Sequence, residues 1–129
     1  MQKTLLVGLA GLLGTLARYW LSARIDGRYG ATFPWGTLAV NVAGCFLAGA
    51  LFFAAHERAL VGEPWRTALL VGLLGGFTTF SAYGLQTFTL LREGQLAPAL
   101  LNVAGSNLLG LSMVWGGYAL TRTFAGAAG

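Results

Sequence analysis

Gly75-Gly76-Phe77-Thr78-Thr79-Phe80-Ser81 stands in the middle of a hydrophobic segment, with an apolar run from Thr67 to Leu74 before it and another from Leu85 to Leu91 after it. The whole segment is long enough to cross a bilayer, yet its centre holds two glycines and three hydroxyls. Paired glycine weakens a helix, and β-branched threonine does not repair it. Inside a membrane, broken backbone persists only where protein or a water-lined cavity satisfies its polar groups. Such breaks at mid-bilayer depth are places to hold an ion. The expected element is a transmembrane helix with a functional interruption.

The rest of the chain fits that setting. Of 129 residues, 56% are hydrophobic and 9% charged, against about a quarter charged in an average soluble domain. The length accommodates one domain and no separate enzyme module, so an enzyme is not expected. The net charge of +4 comes from scattered basic residues that flank apolar runs, not from the clustered basic face that nucleic acid selects. One cysteine, Cys45, allows no intrachain disulfide. One histidine and one cysteine cannot supply an ordinary zinc site.

Three further apolar runs complete the reading. Leu5 to Ala23 reads as a first membrane helix rather than a cleaved leader: Arg18 interrupts it, and no small-x-small cleavage site follows. Gly8, Gly11 and Gly14 offer it a strip for close helix contact. The second run carries Thr37, Asn41 and Gly44 on one face, and the last carries Asn102, Ser106 and Gly110 at a spacing of four. The three prolines lie at or just before helix starts. The fold class expected is all-α: four transmembrane helices over about 4–24, 36–55, 66–91 and 96–122, in a single domain spanning 1–124, followed by a disordered tail at 125–129.

Four spans put both termini on one side with Lys3, Arg58, Arg66 and Arg122. The other side has Arg24, Arg28 and Arg92, with Arg18 near a helix end. Orientation follows an excess of basic residues, and here there is almost none. Insertion both ways up is then open, and an antiparallel homodimer with it; the alternative is that one arginine, or the first helix, decides.

The intramembrane polar residues are Asn41, Asn102, Ser106, Asn107, Thr78, Thr79 and Ser81, all neutral. Asp26, Glu57, Glu63 and Glu93 all fall in expected loops. Proton-coupled transporters place acids inside the membrane, so a small multidrug exporter, the other familiar four-helix class with both-ways insertion, is disfavoured, as is a carboxylate-lined cation pore. Hydroxyl and amide donors suit an anion, and the positive edge of Phe80 does too. The blander reading is packing: hydroxyls bonded to their own helix, Arg18 reaching the headgroups, and a helical scaffold that transports nothing.

The motifs resemble the Fluc fluoride-channel family, also called CrcB, over nearly the whole chain. Gly11-x-x-Gly14-Thr15-Leu16-Ala17-Arg18-Tyr19 is similar to its first-helix signature, and Gly36-Thr37-x-x-x-Asn41-x-x-Gly44-x-Phe46-x-x-Gly49 to its second. The Gly75–Ser81 stretch is similar to its third-helix break. The resemblance implies a dual-topology, antiparallel homodimer in the cell (inner) membrane, in contact with membrane lipid and carrying two antiparallel pores for passive fluoride export. It also implies a structural sodium ion on the two-fold axis, held by the backbone carbonyls of Gly75 and Thr78 of each copy. In the fluoride pathway it places Asn41, Thr37, Phe80, Ser81, Tyr83, Asn102 and Ser106, with Arg18 at a vestibule. This chain departs from the pattern at Ala82, Tyr83, Asn102 and Gly110, where the family usually has Thr, Phe, Tyr and, in some members, Ser.

Overall fold

In a computed structural model, which describes residues 1–30 and 32–127, the chain is entirely helical between short connections. Helix α1 spans Gln2–Tyr29, and α2 spans Trp35–Phe52 and runs on into a π-helical turn, Phe53–Glu57. A third membrane-length element follows: α3, Trp65–Thr67; a π-helical segment, Ala68–Leu73; and α4, Leu74–Phe77. Helix α5, Phe80–Arg92, continues it, and α6, Leu96–Ala127, closes the fold. Taken as Gln2–Tyr29, Trp35–Glu57, Trp65–Arg92 and Leu96–Ala125, these make four spans long and apolar enough to cross a membrane.

The ends differ from the sequence expectation in an informative way. Arg24, Asp26 and Arg28, expected in a loop, lie in the last turns of α1, because nothing before Gly30 breaks the helix. Gly30, at φ +86°, turns the chain there, a conformation open to glycine at little cost. Extending α1 brings the Asp26 carboxylate to the start of α2, where Oδ1 accepts the Gly36 N–H at 2.7 Å. A negative charge at a helix N-terminus stabilises by about 0.3–1 kcal/mol. Glu57 likewise ends the second span rather than lying in a loop, and it accepts the Tyr118 hydroxyl at 2.8 Å. Of the tail expected to be disordered, Ala125 to Ala127 continue α6, and residues 128–129 lie outside the described part.

Small residues hold the helices together. A Cβ on Gly49 would strike the Val114 carbonyl, and one on Gly117 the Phe46 carbonyl, so α2 and α6 touch backbone to backbone. Gly14 meets the Leu73 carbonyl, Gly72 the Val7 carbonyl, and Gly76 the Gly11 carbonyl, which clasps α1 to the third element. Gly8, expected in the same strip, has open space around it. Each step of three residues turns a helix face by about 60°, so Gly8 has rotated away by the time Gly14 is in contact. Large apolar side chains such as Leu12, Trp20, Phe88 and Trp115 face outward, where lipid or another chain receives them. The interior holds few large groups; Val40 and Asn102 are the biggest side chains almost fully buried.

Candidate functional site

The backbone leaves the helical path at Thr78 and Thr79, with φ/ψ of −92°/158° and −151°/118°. Two glycines weaken the helix just before this point, and β-branched threonine accommodates extended backbone readily. The Thr78 N–H and the Thr78 hydroxyl both donate to the Leu74 carbonyl at 2.9 Å, which closes α4. The Thr79 hydroxyl then caps α5, accepting the Ala82 N–H at 3.2 Å. The Ser81 hydroxyl lies 3.3 Å from that of Thr79.

Groups distant in sequence satisfy the exposed backbone. Asn41, on α2, meets Thr79 twice: Oδ1 accepts the Thr79 N–H at 2.8 Å, and Nδ2 donates to the Thr79 carbonyl at 2.9 Å. The side-chain amide thus acts as a strand-like partner for one extended residue. Arg18, on α1, donates from Nε to the Gly76 carbonyl at 3.1 Å. A partly buried backbone group left without such a partner costs about 1–3 kcal/mol, so Asn41 and Arg18 are what allow the backbone to stay extended here.

This exchange frees two acceptors. In a continuous helix the Gly75 carbonyl would take the Thr79 N–H, but Asn41 takes it instead. The Thr78 carbonyl would take the Ala82 N–H, but the Thr79 hydroxyl takes it instead. The Gly75 and Thr78 carbonyls are thus among those that lose their helical donors at the break.

Beside the extended residues lies a cavity of about 430 Å³. Asn41, Gly75, Thr78, Phe80, Tyr83 and Ser106 all border it, joining α2, both sides of the interruption and α6. Thr79 and Asn107 border it too, as does apolar surface including Leu70 and Val114. The rings of Phe80 and Tyr83 are 5.3 Å apart and tilted by 51°. Among the described residues no carboxylate borders the cavity, and no three His, Cys, Asp or Glu side chains cluster as metal ligands would. The chemistry on offer is neutral donors, aromatic edges and free backbone carbonyls.

The remaining sequence candidates fall elsewhere. Thr37 is buried in α2 away from the cavity lining. Ser81 sits at the exposed start of α5. Asn102 is 1% exposed and joins α6 to α5, its Nδ2 donating to the Thr87 hydroxyl at 2.9 Å while its Oδ1 accepts from Ser106 at 3.5 Å. Arg18 is tied through Nε to the Gly76 carbonyl. Two polar residues of this neighbourhood, Gln86 and Thr87, carried no weight in the sequence reading, and Asn107 entered it only as one of the neutral intramembrane groups. Thr87 receives Asn102, Asn107 holds Tyr83, and Gln86 has a buried Oε1 with no donor among the described residues. Gln86 and Thr87 stand three and four residues after Tyr83, and that spacing on the Tyr83 face was the available signal.

Comparison with known proteins agrees with this picture. Residues 5–118 match the model of a family described as CrcB-like protein, Camphor Resistance (CrcB). A protein of Solibacter usitatus named fluoride-specific ion channel FluC is 48% identical over 121 residues, covering 94% of this chain and 99% of its own. A protein of the same name from Thermus thermophilus is 48% identical over 126 residues, covering 98% of this chain and all of its own. One from Geobacter sulfurreducens, also so named, is 43% identical over 122 residues. A match of this extent, together with four membrane-length helices, shows a multi-pass membrane protein, and the chain belongs to the CrcB-like family.

Proposed function

We propose that this chain is a subunit of a fluoride-selective channel that lets fluoride leave the cell down its electrochemical gradient, without catalysis or energy coupling. The observation that carries the reading is the cavity beside Thr78 and Thr79, lined by neutral donors and aromatic edges and, among the described residues, by no carboxylate. The name borne by relatives at 41–48% identity supports it. Fluoride gives up a tight hydration shell only where donors replace it, and several weak sites allow it to move on. Asn41 keeps one amide hydrogen after binding the Thr79 carbonyl. Phe80 and Tyr83 offer ring edges, which carry the positive end of the aromatic quadrupole. Ser106 lines the same cavity, Thr37, Ser81 and Asn102 complete the proposed pathway at its ends or behind its wall, and Arg18 adds positive charge near it.

The working unit we propose is a homodimer of oppositely inserted copies, with two antiparallel pores. Phe80, at 83% exposure in the single chain, is then covered by the partner, and the near-even basic count leaves both orientations open. The Gly75 and Thr78 carbonyls fit a hard cation such as sodium, because both have lost their helical donors and border the same cavity. Bound there, sodium supplies a fixed positive charge near the anion path. The rest of the interrupted helix is the chain's own work: Asn41 and Arg18 hold the backbone open, and Thr79 starts the helix that carries Phe80 and Tyr83. Ion efflux from liposomes containing the purified protein tests the proposal. Fluoride is expected to leave quickly and chloride to stay; retention of fluoride, or equal loss of both ions, refutes it.

A further inference from the structure

Asn107 and Tyr83 sit together on the cavity wall, and their hydrogen bonds have one consistent assignment. Asn107 faces the Val103 carbonyl at 2.7 Å. A carbonyl only accepts, so the Asn107 atom facing it is the NH₂ nitrogen. The same nitrogen lies 3.3 Å from the Tyr83 phenol oxygen. An amide nitrogen does not accept, so the phenol oxygen must be the acceptor here, and both Nδ2 hydrogens are engaged. The Tyr83 hydroxyl proton therefore points away from Asn107, and among the described residues no side chain or carbonyl takes it. Tyr83 lines the cavity with Phe80, whose ring centre is 5.3 Å from its own.

We infer that Asn107 is a positioning residue that turns the Tyr83 hydroxyl proton into the cavity, where it serves as an O–H donor to the permeating anion. The inference rests on the channel reading above and goes beyond it. An aromatic edge alone offers a weak C–H contact, whereas a phenol offers a true hydrogen bond. That bond is strongest to the smallest and most basic halide, so the pair sharpens preference for fluoride over chloride. Asn107 acts through Tyr83 and needs no contact with the ion.

The test is fluoride flux in reconstituted vesicles as a function of fluoride concentration, for wild type, Tyr83→Phe, Asn107→Leu and the double variant. Tyr83→Phe is expected to raise the half-saturating fluoride concentration by about tenfold, the share of one hydrogen bond to a charged acceptor. Asn107→Leu should raise it in the same direction by a smaller factor, and the double variant should match Tyr83→Phe alone. Thermal unfolding of the single variants should stay near wild type, since Tyr83→Phe keeps the ring and Asn107 is on an exposed face of α6. A wild type that carries no fluoride overturns the channel reading and this inference with it. A wild type that conducts, with an unchanged half-saturation in Tyr83→Phe, overturns the inference alone. So does a double variant whose effect is the product of the two singles, because Asn107 would then act independently of Tyr83.

Discussion

Asn41→Asp is the most informative single change in this protein. Asn41 accepts the Thr79 N–H at 2.8 Å and donates to the Thr79 carbonyl at 2.9 Å. Aspartate preserves the first bond and loses the second, setting an oxygen against the carbonyl. One partly buried acceptor without a donor costs about 1–3 kcal/mol, which a folded membrane protein survives. The effect on an anion is larger. A carboxylate about 4 Å from a fluoride ion raises its energy by about 4 kcal/mol at an effective dielectric constant of about 20. At about 1.4 kcal/mol per factor of ten, flux falls roughly a thousand-fold. The assay is fluoride efflux from liposomes near pH 8, with size-exclusion chromatography in detergent as the control for assembly. Acidifying the medium should restore part of the flux, because the protonated acid again donates to the Thr79 carbonyl and carries no charge. Undiminished flux at pH 8 in a correctly assembled variant removes Asn41 from the ion path and refutes the reasoning.

Three other changes probe separate features. Gly117→Ala sets a Cβ within 2.9 Å of the Phe46 carbonyl carbon and 3.1 Å of the Ala50 nitrogen. It should lower stability by about 1–3 kcal/mol in thermal unfolding, while neighbouring Gly116→Ala, which meets nothing within 4 Å, should be neutral. Arg18→Leu removes the donor to the Gly76 carbonyl. It should cost about 1.5–3 kcal/mol, as loss of a charged hydrogen bond does, and Arg18→Lys should restore only part of it; an unchanged melting temperature in Arg18→Leu would show that Gly76 needs no cap. Glu63, in the connection before α3, is held at about 2 rather than 4.5 by hydrogen bonds, first from the Thr67 hydroxyl, then from Lys3 and Arg66. Its folded value is depressed, so its contribution is complete above 4.5 and disappears as pH falls toward 2. Titration followed by carboxyl NMR should give a midpoint well below that of an ordinary glutamate, and Glu63→Gln should remove this residue's share of the dependence of stability on pH in this window.

The sequence by itself determined the class of this protein. Four apolar stretches of membrane length, few charges, and polar residues confined to loops and helix stripes leave no soluble alternative. Gly75-Gly76 followed by Thr78-Thr79 marked where backbone would be weak, because propensity is a local property. Its three dense motifs carried the family. Helix ends were less legible: α1 passes through Arg24, Asp26 and Arg28 because those residues are as acceptable in a helix as in a loop, and only the fold shows that Asp26 has a helix to cap.

Tertiary structure decided which polar group meets which. Asn41 reaches Thr79 across 38 positions, and Arg18 reaches Gly76 across 58. No periodicity encodes such pairs; they arise once glycines such as Gly14, Gly44 and Gly76 bring the helices close enough for backbone to be satisfied by a distant side chain. The same closeness buries Asn102 against Thr87, a placement that its position on a polar stripe did not separate from the cavity wall. Hydrophobicity and propensity act along the chain and can be read from it, whereas a buried N–H or C=O accepts whichever partner three-dimensional packing delivers.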